Sequence, residues 1–279
     1  MRRKLNWLAM AIAAGAPVGA GPILVNLNSA SSFGLLGGTI SNTGTSVVTG
    51  NVGVSGSAGT ITGFNPTGTT VNGSVIAPGS TASNNAYTDF VTAFGAAELL
   101  SSTQSYSDLT TSRTFIGGNV YTFGLTDIST TTGIALTFDA QNHPNAVFVI
   151  RTAGAFTENG ALTFALVNGA QASNIYWIVG TDATISVGSS GAITFDGNIL
   201  AGESFTMSAA AGGSGVLAGT INGCVFAKTA NTLAGTTDVG GCGSAGTPEP
   251  GSAGLSAIGA GFLTALVWRA RRRRGQAHA

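Results

Sequence analysis

The chain has 279 residues, of which 43 are Gly, 43% are hydrophobic and only 8% are charged. The apolar and β-branched content excludes a disordered chain, and the Gly residues lack the strict period of three that collagen needs. The net charge of zero hides an asymmetry. Arg2, Arg3 and Lys4 stand at the start, Arg269 and Arg271 to Arg274 at the end, and between residues 21 and 243 three cations face ten carboxylates. Such an acidic body carries no nucleic-acid footprint, and no nucleic acid is expected as a partner.

Taken in chain order, Arg2-Arg3-Lys4 precedes the short apolar run LNWLAMAIAAGAPVGA. Basic residues before a short apolar run with small residues at its end, here Val18 and Ala20, predict a signal peptide over residues 1–20, exported by the Sec machinery. From Ile23 to Val54 short apolar runs (FGLLGGTI, SVVTG, NVGVSG) alternate with Gly-rich turns, which predicts brief strands. The body has one helical pattern, over about residues 83–102, where Tyr87, Phe90, Val91, Phe94 and Ala97 recur at spacings of three and four. Ser83 or Asn84 is the expected cap. A helix with one apolar stripe must bury it, and the side of the β structure is the expected bed.

From Thr114 onward the chain returns to strand-and-turn segments that align with one another. NIYWIVGTDATI, GNILAGESFTM and GCVFAKTANTL stack Ile185, Met207 and Leu233 in one column, Thr184, Thr206 and Thr232 in a second, and Thr181, Glu203 and Thr229 in a third. AVFVIRTAGAF joins them through Phe156, Ala155 and Thr152, so the apolar column steps from Phe156 to Ile185, then to Met207 and then to Leu233. An apolar strand with a Gly-rich return, repeated at steps of this size, is the pattern of stacked coils, because one coil cannot bury its apolar side alone. The fold class expected over residues 21–243 is therefore an all-β solenoid with one long α-helix packed alongside. Its Thr columns would form rows with the spacing of neighbouring strands, about 4.8 Å.

Cys224 and Cys242 are the chain's two cysteines. In an exported protein they form either a disulfide worth about 3 kcal/mol or a pair of buried thiols. Asp127, Asp139, Glu158, Asp182, Asp196 and Glu203 are scattered singly, and His143 sits in the turn NHPN. With no nucleophile motif, phosphate loop or metal-ligand spacing, no enzyme, no cofactor and no metal are expected.

At the C-terminus Pro248-Glu249-Pro250 precedes the apolar stretch from Gly251 to Trp268 and then the cluster of Arg271, Arg272, Arg273 and Arg274. A stretch of this length is just enough to span a bilayer, and the cations fix the inner end. The order resembles a PEP-CTERM sorting signal over residues 244–279, with a transmembrane helix at about 251–268. That resemblance implies a Gram-negative bacterium, an exosortase that cuts near Pro248, and a body placed in the cell envelope, at the cell surface or outside.

The segments LNSASSFGLLGGTISNTGTSVVTGNVGVSG, LTFDAQNHPNAVFVI, VNGAQASNIYWIVG and GNILAGESFTM together resemble the ice-binding domain family labelled DUF3494, over essentially the whole body. The resemblance implies a discontinuous, right-handed β-solenoid of triangular section (a triangular β-helix) and a face with the pattern Thr-Ala/Gly-X-Thr/Asn. Thr229-Ala230-Asn231-Thr232 matches fully, Thr181-Asp182-Ala183-Thr184 keeps both Thr residues, and Thr152 and Ser204-Phe205-Thr206 match in part, with Glu203 a departure. The implied ice-contacting candidates are thus Thr152, Thr181, Thr184, Ser204, Thr206, Thr229, Asn231 and Thr232. A spacing of three cannot keep both Thr side chains on one face of a straight strand, so a bend or bulge is expected between them. The function implied is a secreted or cell-surface protein with ice as its partner. The alternative is an envelope or matrix adhesin that binds exopolysaccharide.

Overall fold

The computed structural model describes residues 23–243, apart from 65–68, 125–127, 131–132, 160–161, 187–191 and 209–217. The expected signal peptide, the sorting signal with its apolar stretch, and Asp127 lie outside the described residues. Almost every described element is a strand, and every strand pairing is parallel. Parallel neighbours need a crossover between them. Here the crossover is the rest of a coil, so each turn of the chain lays down up to three strand runs on three sides.

One complete coil shows the plan. Ile175–Val179 runs along the first side, Ala183–Ser186 along the second and Ala192–Asp196 along the third. The next coil repeats it with Asn198–Ala201, Ser204–Ser208 and Ala218–Asn222. In Val225–Leu233 and Phe33–Asn42 a single long strand serves both the first and second sides. The third side is divided into two sheets, one ending at Leu162–Val167 and the other beginning at Ala192–Asp196.

The order of coils in space departs from the order in sequence. Along the first side the strands run Gln104–Tyr106, Asn119–Phe123, Phe148–Thr152, Ile175–Val179, Asn198–Ala201, Val225–Leu233, then Phe33–Asn42 and Asn51–Val54. The chain therefore begins near one end of the stack. Helix α1 (Thr81–Glu98) carries it to the far end, and the later coils march back until the last docks on the first.

Two apolar layers hold this together. Inside the coils lies a core rich in aromatic rings, including Phe115, Phe138, Phe148, Phe156, Trp177 and Phe195. Outside the first side lies a second layer made by Leu36, Val149, Tyr176, Ile178, Leu200 and Phe226 under α1. With both faces covered, Ile175–Val179 is buried at every position, as a continuous apolar run requires. Phe90 of α1 sets its ring 5.5 Å from that of Phe226, edge to face.

The helix differs from expectation at its ends. It starts at Thr81, two positions early, because Ser80 and not Ser83 or Asn84 is the cap. The Ser83 amide donates to Ser80 Oγ at 3.2 Å. Ser83 itself is buried, and its hydroxyl donates to the Val54 carbonyl at 2.7 Å, fastening the first turn to the sheet. At the other end the helix closes at Glu98, short of residue 102, and the Arg151 guanidinium donates to the Glu98 carbonyl at 2.6 Å, placing a cation at the negative end of the helix.

Candidate functional site

The second side carries one continuous ladder, and among the described residues no helix lies over it. It is reached through a corner at Gly180–Asp182, repeated at Gly202–Glu203 and at Lys228–Thr229. The coils stack tightly there. A methyl group on Gly180 would overlap the Ala153 carbonyl, and one on Gly202 would overlap the Gly180 carbonyl. Thus the bend that the Thr-x-x-Thr spacing requires is a corner of the coil. Where the first coil meets the last, the corner holds one residue against two, since Gly37 pairs with Ala227 but Thr39 with Ala230.

Beyond the corner the register is regular. Thr157 pairs with Thr184, Thr184 with Thr206, Thr206 with Thr232, Thr232 with Ser41, and Ser41 with Thr62. The backbone of Ser129 extends the ladder beyond Thr157. The inward neighbours along this side, among them Phe156, Ala183, Phe205 and Leu233, are buried, whereas the hydroxyl residues face outward. Neighbours in such a row stand about 4.8 Å apart, and parallel rows two positions along the strand stand about 6.6 Å away. The flanking rows carry Ser204, Ala230 and Thr39 on one edge and Ser186 with Ser208 on the other. The hydroxyls come from successive layers of one stack, so the backbone ladder fixes their spacing. The Ser41 hydroxyl donates to Thr232 Oγ1 at 3.4 Å across the junction of first and last coils.

The middle row carries no charge. Glu203 is exposed but sits at the corner, between Thr181 and Thr229 in the backbone ladder, and clears the row. Asp182 stands at the corner-side rim, and its carboxylate accepts from the Ser204 amide at 3.1 Å and from the Ser204 hydroxyl. His143 is exposed in its turn. Among the described residues no group of three or more His, Cys, Asp and Glu side chains could hold a metal ion.

The expected site residues divide accordingly. Thr184, Thr206 and Thr232 share the middle row, Ser204 lies on the rim, and Thr181 and Thr229 occupy the corner. Two expectations are corrected. Thr152 is buried on the first side, paired with Phe123 and Val179, so it cannot reach the outer row. Asn231 points inward, fully buried, where its amide donates to the Leu36 carbonyl at 2.9 Å.

The first of these differences has a definite cause. Phe156 pairs with Ala183 and not with Ile185, so this coil is two positions shorter than the apolar column suggests. The residue opposite Ile185 is Glu158, a fully buried carboxylate that accepts from the Leu162 amide at 2.8 Å. A charge in an apolar column pushes an alignment toward Phe156, and Thr157 is lost from the Thr column. The interval from Phe156 to Ala183 equals that from Phe148 to its partner Ile175, and aligning on the latter pair restores Thr157 to its place. Ser41 and Thr62 escape sequence reasoning because nothing in the sequence says which coil the N-terminal coils join.

Cys224 and Cys242 are joined by a disulfide, with their Cα atoms 4.4 Å apart. It lies where the third side turns back to the first, close to Phe33, whose carbonyl is 3.4 Å from Cys242 Sγ.

Comparison with known proteins agrees with this architecture. The family described as ice-binding-like matches residues 35–238. An ice-binding protein of Nostoc sp. (strain HG1) is 33% identical over 254 residues, covering 89% of this chain and 88% of the relative. Ice-binding protein K3-B1 of Typhula ishikariensis is 30% identical over 210 residues, covering 71% and 85%. The crystal structure of an ice-binding protein from the Antarctic ascomycete Antarctomyces psychrotrophicus superposes with a TM-score of 0.64 at 29% identity, over 76% of this chain and 96% of that one. The chain belongs to the ice-binding-like family.

Proposed function

We propose that this protein binds ice through the second side of its coil, and that it is an antifreeze or recrystallisation-inhibiting protein and not an enzyme. The observation that carries the reading is the uncharged row Thr157, Thr184, Thr206, Thr232, Ser41 and Thr62, with one hydroxyl from each coil at a spacing set by the backbone. A Thr side chain offers a methyl that orders adjacent water and a hydroxyl that anchors it. One such contact is weak. Many fixed contacts add without a fresh ordering cost, because folding has already ordered the groups. The named relatives are ice-binding proteins, which supports the same reading.

Within this reading the contacting residues are Thr157, Thr184, Thr206 and Thr232, with Ser41, Thr62 and Ser204 beside them and Thr181 and Thr229 at the edge. The coil is right-handed, the hand that parallel crossovers adopt. Residues 1–20 direct export, and the Pro248-Glu249-Pro250 segment with its apolar stretch and Arg cluster directs sorting by an exosortase to the surface of a Gram-negative cell.

The test is thermal hysteresis and ice-recrystallisation inhibition by the purified protein, alongside Thr206→Tyr. Ice shaping by the native protein, largely lost in the folded variant, is the expected result. A native protein with a folded β spectrum and no effect on ice growth at any concentration would overturn the proposal, and exopolysaccharide would become the ligand class to examine.

A further inference from the structure

The Cys224–Cys242 bond is shut in on one side and open on the other. Cys224 has no exposed surface and leads directly into Val225–Leu233, a strand with parallel neighbours on both edges. The Asn198 side chain covers it. Asn198 Oδ1 accepts from the Cys224 amide at 3.2 Å and lies 3.3 Å from its Sγ. The amide of the same side chain donates to the Ser173 and Ile175 carbonyls at 2.8 and 3.1 Å, which holds the cover in place. To reach this sulfur, a molecule from outside would have to lift the outer layer of the first side, Leu200 and Phe226 included.

Cys242 is placed otherwise. It forms part of the wall of a surface groove of about 480 Å³, together with Ser31, Phe33, Thr49, Asn72 and Gly241. That volume is in the range of small-molecule sites. Among the described residues lining the groove none is charged, so no carboxylate there repels an incoming thiolate. Cys242 also follows the last strand, Thr236–Val239, and stands between Gly241 and Gly243, both with positive φ. Backbone of this kind turns easily, because Gly has no side chain to restrict it. Cys242 can therefore swing toward the groove, whereas the ladder and Asn198 hold Cys224 where it is.

We propose that Cys242 is a thiol-exchange site that takes a low-molecular-weight thiol of about the size of glutathione from the groove, so that the bond opens and closes in the folded protein. The entering thiolate attacks Cys242 Sγ. A new sulfur–sulfur bond forms between them, the Cys224–Cys242 bond breaks, and Cys224 leaves as a thiolate that takes up a proton. Closure is the reverse step. The Cys224 thiolate attacks Cys242 Sγ in the mixed disulfide and expels the small thiolate into the groove. Opening frees the head of Phe33–Asn42, since Cys242 Sγ is 3.4 Å from the Phe33 carbonyl. The ladder from Leu35 with Val225 to Asn42 with Leu233 stays paired. The site is independent of ice binding.

The experiment holds the folded full chain, in detergent, in glutathione buffers of graded ratio, quenches with acid and maps adducts by mass spectrometry. A glutathione adduct should form on Cys242 and not on Cys224, in a protein with its native circular dichroism spectrum. Its melting temperature should be about 6–12 °C lower, as loss of one cross-link from a body of this size implies. Oxidised glutathione should modify the single thiol of Cys224→Ser roughly tenfold or more faster than that of Cys242→Ser, a gap that closes in denaturant. Asn72→Trp, which sets a ring over the groove, should slow the adduct by roughly tenfold with melting unchanged. Adducts on Cys224 first, or equally on both, would overturn the proposal. So would a bond that opens only in denaturant strong enough to unfold the coils. An Asn72→Trp rate equal to the native one would overturn the groove as the route.

Discussion

Thr157 and Thr152 lie five positions apart in sequence and on different sides of the coil, and this difference separates the contact row from its surroundings. Thr157→Tyr should cut thermal hysteresis about as strongly as Thr184→Tyr, since both put a large ring in one row. Thr152→Val should leave it near the native value, because that side chain is buried on the first side. Equal losses from Thr152→Val and Thr157→Tyr, in proteins with unchanged melting, would contradict the assignment of the row. A second residue-scale prediction concerns Tyr176. Its ring lies in the layer under α1, and burial pushes its hydroxyl up to about 12, from 10.0. The folded state therefore holds this proton more tightly than the unfolded chain does. The stability so gained is complete below pH 10 and is lost as pH rises through about 12. Burial raises Tyr121 and Tyr87 in the same direction. Tyr176→Phe should flatten the alkaline limb of the unfolding curve, as read by circular dichroism from neutral to strongly alkaline pH, and an unaltered limb would refute the assignment.

Helix α1 shows how elements are legible and where legibility stops. Its apolar spacing is plain in sequence because Phe90, Phe94 and Ala97 meet one continuous bed, and a helix with one wet side keeps its period of 3.6. Its start is misread because Ser80 and Ser83 are both good caps. The choice between them is tertiary, made when Ser83 donates to Val54 and leaves the capping to Ser80. Likewise, Ile185, Met207 and Leu233 can be aligned since each is an apolar residue at the same phase of its coil. Glu158 cannot, since a buried carboxylate breaks the only signal the alignment has. Removing the Phe90 ring, which meets Tyr87, Phe94 and Phe226, should cost about 3–5 kcal/mol. Chemical denaturation of Phe90→Ala measures it, and a loss under about 1 kcal/mol would mean that α1 is not part of the cooperative unit.

At the scale of the whole molecule, the order of coils is the least legible property. Sequence periodicity shows that coils stack but not which coil stacks on which, and the pairing of Thr39 with Ala230 joins residues from opposite ends of the body. A layer inside the stack is therefore the first to be synthesised. A chain that has emerged only as far as Cys224 holds the early coils at one end, a helix, and a run of later coils with nothing to dock on. The long strand Phe33–Asn42 then lacks the strand Val225–Leu233 along one whole edge, with only Asn51–Val54 and Ile61–Thr62 on the other. A fragment ending at residue 222 should accordingly show no cooperative melting transition, while the protein itself should show one. A fragment melting near the native temperature would mean that the early coils stand alone. Folding thus waits for the end of the chain. Contacts so distant in sequence make for slow folding, and on the export reading proposed above a slow-folding polypeptide remains threadable during its passage through a membrane pore. The joint between first and last coils works in this sense as a clock, holding back the rigid hydroxyl rows until nearly all of the body has been made.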